Sequence, residues 1–320
     1  MNVSQNKRKR LFQSIAIALT SIMFFTSCLN RGTKPLNETP TRGDITITID
    51  ESFQPLLETE IFTFTHLYVN ANITPQYKPE YDVIEDFMND SVKVIVTSKK
   101  LTDNQIQYLR ESLIIPRTIT FAYDALVLVT NRENYDTLIQ YNIIKDIFLG
   151  KISNWNQINP KSNLGDVRVV FDNTKSGNIR YFRDLFEITG ALPSNFYAMN
   201  TNSEVVEFVS RNQNAIGIIS VNWVSDIYDP LSISFMKKIN VVAVSNQFLG
   251  DRMYYRPYQG SIYDNTYPFV REIYFISRET FAGLGTGFIQ WATAEQGQRL
   301  VLKSGLVPAT MPERLVEIKR

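Results

Sequence analysis

The chain of 320 residues reads as an α/β protein, on two observations. Short runs that alternate polar with β-branched apolar residues recur along it, and segments with helical apolar spacing separate them. Strands that alternate with helices imply largely parallel sheets flanked by helices.

The elements follow in order. Residues 44–49 (DITITI) alternate strictly and predict a strand. Residues 55–69 read as an amphipathic helix, 82–89 as a short second helix and 91–96 (SVKVIV) as a strand. A helix over 102–112 opens on Thr102 with Gln105 three positions on, the spacing of a capping box. Residues 118–130 (TITFAYDALVLVT) form a long strand, and a short helix over 143–149 stops at Gly150. A strand at 167–171 leads to a helix over 176–187, and Gly190 and Pro193 break the chain after it. A helix at 202–211 precedes a strand at 215–221, and further strands are expected at 240–244 and 269–277. The last helix is expected over 281–295, with 296–304 continuing it. No internal repeat is present, and no shift in composition marks a domain boundary.

The N-terminus has its own logic. Lys7-Arg8-Lys9-Arg10 is basic, 11–25 is mainly apolar and uncharged, and Ser27 precedes the only cysteine, Cys28. That order predicts a cleaved signal peptide over 1–27. The apolar stretch is shorter than the about 20 residues a membrane-spanning helix needs. Phe25-Thr26-Ser27-Cys28 resembles the lipobox of bacterial lipoproteins, with Phe25 where Leu is usual. The resemblance implies that Cys28 is acylated, for example by palmitate, and becomes the first mature residue, anchored in the cell envelope. A buried thiol or an uncleaved anchor is the alternative. Residues 28–42, polar with two prolines, read as a tether.

Charge and composition exclude several function classes. Without the four basic residues of 1–27, 29 Lys+Arg face 32 Asp+Glu, a net charge of −3. That balance argues against a nucleic-acid partner but not against a pocket for a small anion. A lipidated Cys28 leaves no thiol for a disulfide, a metal or a nucleophile. The single histidine, His66, lies in an apolar-rich helical stretch, and no Gly-x-Ser-x-Gly elbow is present, so a hydrolase is disfavoured. No zinc, EF-hand, Walker or dinucleotide pattern appears, and neither cofactor nor metal is expected. The group Met253-Tyr254-Tyr255-Arg256-Pro257-Tyr258 reads as packing, with a cleft mouth or a partner contact as the alternative.

Several segments together resemble the phosphate-type solute-binding proteins of ABC importers, the PstS-like family. Residues 146–155 (DIFLGKISNW) are close to its "IFLGKITNW" segment. Residues 121–131 (FAYDALVLVTN) look like its crossover strand, 215–219 (AIGII) like its "AIGYV" strand and 267–274 (YPFVREIY) like its return strand. Residues 288–291 (FIQW) and Gln296-Gly297-Gln298 followed by Gly305-Leu306-Val307-Pro308 complete the series in the family's order. The resemblance covers about residues 43–310. It implies a non-enzymatic, monomeric binding protein of the periplasmic-binding-protein type, with two α/β lobes closing on a small anion, phosphate first, and delivering it to a membrane permease. Lobe 1 would be 43–127 with 271–315, lobe 2 would be 128–268, and Asp124 and Arg271 would lie near the hinge.

Three loops carry the implied anion site. Helix N-termini offer unpaired N–H groups, and hydroxyls there add donors. Ser52 matches the family's first loop, although Asp50 and Glu51 replace small residues and would repel an anion. Ser98 matches the second, and Lys99 beside it would add a charge. Ser176 and Gly177 match the third, where Asn178 replaces Thr and Asp172 stands at the place of a phosphate-binding Arg. Helix capping by Asp50 or Ser52 accounts for the first loop equally simply, whereas Ser176 can cap its helix and face a ligand at once. The family's Gly- and Ser-rich turn is replaced by 74–82 (TPQYKPEYD), whose Tyr77 and Tyr81 would fill or reshape the cleft. These departures leave a second reading open: a surface lipoprotein that keeps the fold, has a degenerate site and acts through protein partners.

Overall fold

Alternation in residues 43–50 yields strand β1 (Gly43–Asp50), whose last four residues, Ile47 to Asp50, are fully buried. The computed structural model describes residues 38–250 and 252–310. The signal segment, Cys28 and most of the tether lie outside them.

After β1 a single 3-10 turn (Glu51–Phe53) leads into helix α1 (Gln54–Leu67), with Pro55 in its first turn. Strand β2 (Ala71–Lys78) pairs with β1 in parallel along its whole length. The sequence suggests a turn over part of that span. β2 is an edge strand, the place where a sheet tolerates a proline such as Pro75. Helix α2 (Glu80–Met88), strand β3 (Val94–Thr97) and helix α3 (Asp103–Glu111) follow, and Thr102 and Gln105 form the expected capping box on α3. The long strand β4 (Arg117–Asn131) is next, then β5 (Leu138–Ile139), α4 (Tyr141–Phe148) and the short α5 (Trp155–Ile158). Gly150, at φ 71, follows the end of α4, where the sequence implies that helix stops. Strand β6 (Arg168–Phe171), helix α6 (Gly177–Leu185), strand β7 (Phe196–Ala198), helix α7 (Asn202–Arg211) and strand β8 (Ala215–Ser220) build the second half. A 3-10 turn (Val221–Trp223) and helix α8 (Pro230–Met236) follow. The strand expected at 240–244 is split into β9 (Ile239–Val241) and β10 (Ala243–Ser245), which join different sheets. The chain finishes with β11 (Tyr254–Tyr255), α9 (Gln259–Tyr263), β12 (Val270–Ser277), α10 (Leu284–Ala292), α11 (Glu295–Lys303) and β13 (Val307–Pro308). α10 and α11 are separate helices, not the single one expected. The backbone breaks at Ala294, at ψ 177, and Gly297 folds back so closely that an added Cβ would lie 2.3 Å from the Ala292 carbonyl oxygen.

The main sheet runs β2-β1-β3-β12-β4-β8-β6-β7. Its two ends are parallel, but the centre is not. β12 is antiparallel to β3 and β4, and β4 is antiparallel to β8 and β9. The largely parallel sheet expected from the sequence is therefore a mixed one. The reason is topological: β4 carries the chain out of the first lobe, β12 brings it back, and neighbours running out and back are antiparallel. The first part of β4 pairs with β12 and the part from Leu126 to Asn131 with β8 and β9. Two lobes result. One is built on β1, β2, β3 and β12, the other on β6, β7 and β8.

One apolar core runs through both lobes, from Ile47, Phe53 and Phe288 to Phe148, Trp155 and Phe182. A smaller cluster of Val83, Phe87, Ile95 and Leu109 sits under α2 and α3. β3 and β8 bury both faces, and the carboxyl ends of β1, β3 and β6, with the loops beyond them, converge between the lobes, where open α/β sheets place ligands.

Candidate functional site

The loops after β1, β3 and β6 meet the start of α6 between the lobes. Ser52 is fully buried, with its Oγ donating to Asn178 Oδ1 across the cleft at 3.1 Å. Its carbonyl accepts from Trp223 Nε1 at 3.1 Å and from Asn222 Nδ2 at 3.3 Å, which fixes the loop. Ser176 caps α6, accepting from Ile179 N at 3.4 Å and donating to Asp172 Oδ1 at 2.6 Å. Gly177 and Asn178 follow it, both buried. Ser98 is half-buried and donates to Glu80 Oε2 at 2.6 Å. The structure thus gathers Ser52, Ser98, Ser176, Gly177 and Asn178 into one cleft. Lys99 stands at its mouth, half-buried, on a cavity of about 430 Å³ that Tyr81, Lys175 and Arg183 also line. Tyr81 is exposed there under the Lys175 ammonium, whereas Tyr77 packs against the core.

Two positive groups, one buried and one half-buried, do not stand out as ligands in the sequence. Arg271 faces Asp124 in the β12–β4 register and donates through Nε to Asp124 Oδ2 at 2.8 Å. Both side chains are almost wholly buried, and Ser220 Oγ holds the other Asp124 oxygen at 2.9 Å. The guanidinium lies 4.9 Å from the Phe53 ring centre, and its two terminal nitrogens have no partner. Arg180 is the second. It projects from α6 one turn after Ser176 and grips Glu80 through Nε and Nη2. Its spacing of four from a cleft residue places it on the same helix face, a signal available in the sequence.

Carboxylates crowd around these groups. Burial, then the charge of Glu80, pushes Asp50 up to about 7. Burial pushes Glu51 up to about 8, although Asn202 donates to it, and Asp172 up to about 6. Burial raises Asp124 as well, against the pull of Arg271. Burial also works to raise Glu80, but the Arg180 charge and the hydrogen bonds from Arg180 and Ser98 prevail and hold it below the usual range. Asp172 lies at the start of the loop before α6, and Arg271 enters the same cleft from β12. The arrangement suits a small oxyanion that shares protons with its surroundings. Among the described residues no group of His, Cys, Asp and Glu is disposed to hold a metal. His66 is exposed and stacks on Phe62, away from this chemistry.

The cleft is closed. Beyond the Ser52–Asn178 and Glu80–Arg180 contacts, Tyr81 N donates to Lys175 O at 3.1 Å and Lys175 Nζ pairs with Asp82 at 2.7 Å. Asn202 N donates to Glu51 Oε1 at 3.2 Å.

Comparison with known proteins agrees with this geometry. The phosphate-binding protein PstS of Borreliella burgdorferi is 22% identical over 309 residues, which span 93% of this chain and 98% of that protein. A substrate-binding protein of Clostridium perfringens solved with bound phosphate superposes with a TM-score of 0.69 at 22% identity, over 83% of this chain and 99% of that one. An ABC-type phosphate transport receptor of Vibrio cholerae gives a TM-score of 0.62 at 20% identity, over 83% and 100%. The profile of the PBP superfamily domain matches residues 35–296, most of the chain, and with the crossing strands and the interlobe cleft it establishes that the chain belongs to the PBP superfamily.

Proposed function

We propose that this chain is a solute-binding protein of the cell envelope, held by lipid on Cys28, which closes its lobes on a small oxyanion and presents it to an ABC permease. Phosphate is the first ligand, the anion named for its relatives. The lobes would be 43–127 with 271–315 and 128–268, hinged near Asp124 and Arg271. The observation that carries the reading is the Arg271 guanidinium, buried in the cleft with two unpartnered nitrogens. A buried cation without its full set of acceptors is costly, and an oxyanion supplies them. Ser52, Ser98, Ser176, Gly177 and Asn178 surround it as hydroxyl, amide and helix-end donors, with Lys99 at the mouth. Binding needs no catalytic group and no cofactor.

Thermal unfolding with added anions tests this. Phosphate at about 100 times its dissociation constant adds about 2.7 kcal/mol of stability. An unchanged midpoint with phosphate, sulfate and larger oxyanions alike counts against it. For the anchor, Cys28→Ser should release the protein from membranes or leave the precursor uncleaved; an unmodified cysteine in the mature chain refutes lipidation.

A specific observation favours the second reading, that of a ligand-free surface protein acting through partners. Asp50, Glu51, Glu80 and Asp172 crowd the cleft with carboxyl groups, of which Glu80 is held ionised, and each repels an anion wherever it gives up its proton. It predicts no response to any small anion in the same experiment.

A further inference from the structure

Glu80 is the first residue of α2 and only 2% exposed. Its Oε2 accepts from Ser98 Oγ at 2.6 Å, from Thr97 Oγ1 at 3.2 Å and from Arg180 Nη2 at 3.2 Å. Arg180 Nε donates to Oε1, and Arg180 Nη2 also reaches Ser98 Oγ at 3.1 Å. The same Oε2 would lie 2.8 Å from a Cβ placed on Gly177, so the carboxylate abuts the first residue of α6. Two hydroxyls, a guanidinium fork and a helix start form the donor set that an oxyanion requires. Here a carboxylate of the chain itself occupies it.

We propose that Thr97, Ser98 and Arg180 form an oxyanion subsite which Glu80 occupies, so that a ligand must displace it. Glu80 comes from one lobe and Arg180 from the other, so their pairing also latches the cleft. The neighbouring Tyr81–Lys175 and Asp82–Lys175 contacts extend the latch along the rim. This rests on the oxyanion reading above. Its consequence is a reduced apparent affinity, because only the unlatched fraction of molecules accepts ligand. A cleft unlatched about a tenth of the time binds about ten-fold more weakly than one that is always open.

The test is calorimetric titration of inorganic phosphate into the native protein, Glu80→Gln and Glu80→Ala, with small-angle scattering of each before and after phosphate. Both variants are expected to bind about ten-fold tighter or better. Glu80→Ala should show a larger radius without phosphate, which phosphate reduces. Equal affinity in all three proteins overturns the latch and leaves the oxyanion reading standing. No binding in any of the three, with each folded by circular dichroism, overturns both. Weaker binding by both variants also overturns the latch, since Glu80 would then help to hold the ligand.

Discussion

At the scale of single residues, the cleft is a problem of unpaired charge. Arg271 and Asp124 are buried together, and removing one partner of such a pair usually costs about 3–5 kcal/mol. Breaking the pair to free either group is therefore costly, while the two terminal nitrogens of the guanidinium stay without a hydrogen-bond partner. Ser176 has a double role, capping α6 and donating to Asp172. Ser176→Ala should lower stability by about 1 kcal/mol through the lost cap, read as the denaturation midpoint. A loss of several kcal/mol would mean that the Asp172 bond, not the cap, is the main contribution. Small polar residues at loop ends are legible in the sequence because their spacing from a strand and a helix is local. The place of Glu80, the partner that Arg180 grips and the unpartnered end of Arg271 are not. Glu80 meets Arg180 across 100 positions of chain, and Arg271 reaches the cleft from a strand that enters it last. No local pattern encodes where a long side chain ends in space.

At the scale of elements, the long strands other than β2 and the long helices follow from alternation, caps and breakers, with α7 (Asn202–Arg211) matching its expected bounds, whereas the short β5, β7, β11 and β13 and the short α5, α8 and α9 are not anticipated. The errors share a cause. β2 escapes a local reading because Pro75 interrupts it and the resemblance places a turn over 74–82, yet pairing with β1 decides the matter. The antiparallel centre cannot be read from alternation of strands and helices, since that pattern is silent on which strands cross twice. Helix α6 is the element on which the site turns. Its first residue has no room for a side chain: a Cβ on Gly177 would lie 2.8 Å from Glu80 Oε2 and 2.9 Å from Asp50 Oδ2. Gly177→Ala should therefore prop the lobes apart, seen as a larger scattering radius and a lower melting temperature. An unchanged radius would mean that the carboxylates simply step aside.

At the scale of the whole molecule, lobe closure concentrates acidic groups. The carboxyls of Asp50, Glu51 and Asp172 lie at about 7, 8 and 6, against about 4 in an unfolded chain. The folded protein thus holds protons that the unfolded chain has released. Stability from these groups is full below about pH 4 and is lost as pH rises through 6 to 8. Glu80, held low, acts the other way, but only where the pH falls below its usual range. Without ligand the melting temperature should fall steadily from pH 5 to pH 8.5; a flat or rising profile would mean that the cleft opens and rehydrates its carboxylates.

The most direct test of a cleft built for an oxyanion is calorimetric titration of phosphate into the native protein beside Arg271→Lys. Lysine keeps the charge and loses the fork of two terminal nitrogens. Saturable one-to-one binding by the native protein is expected, with at least about ten-fold weaker binding by the variant. Saturable binding with the same affinity in both, or none in the native protein, would contradict this expectation.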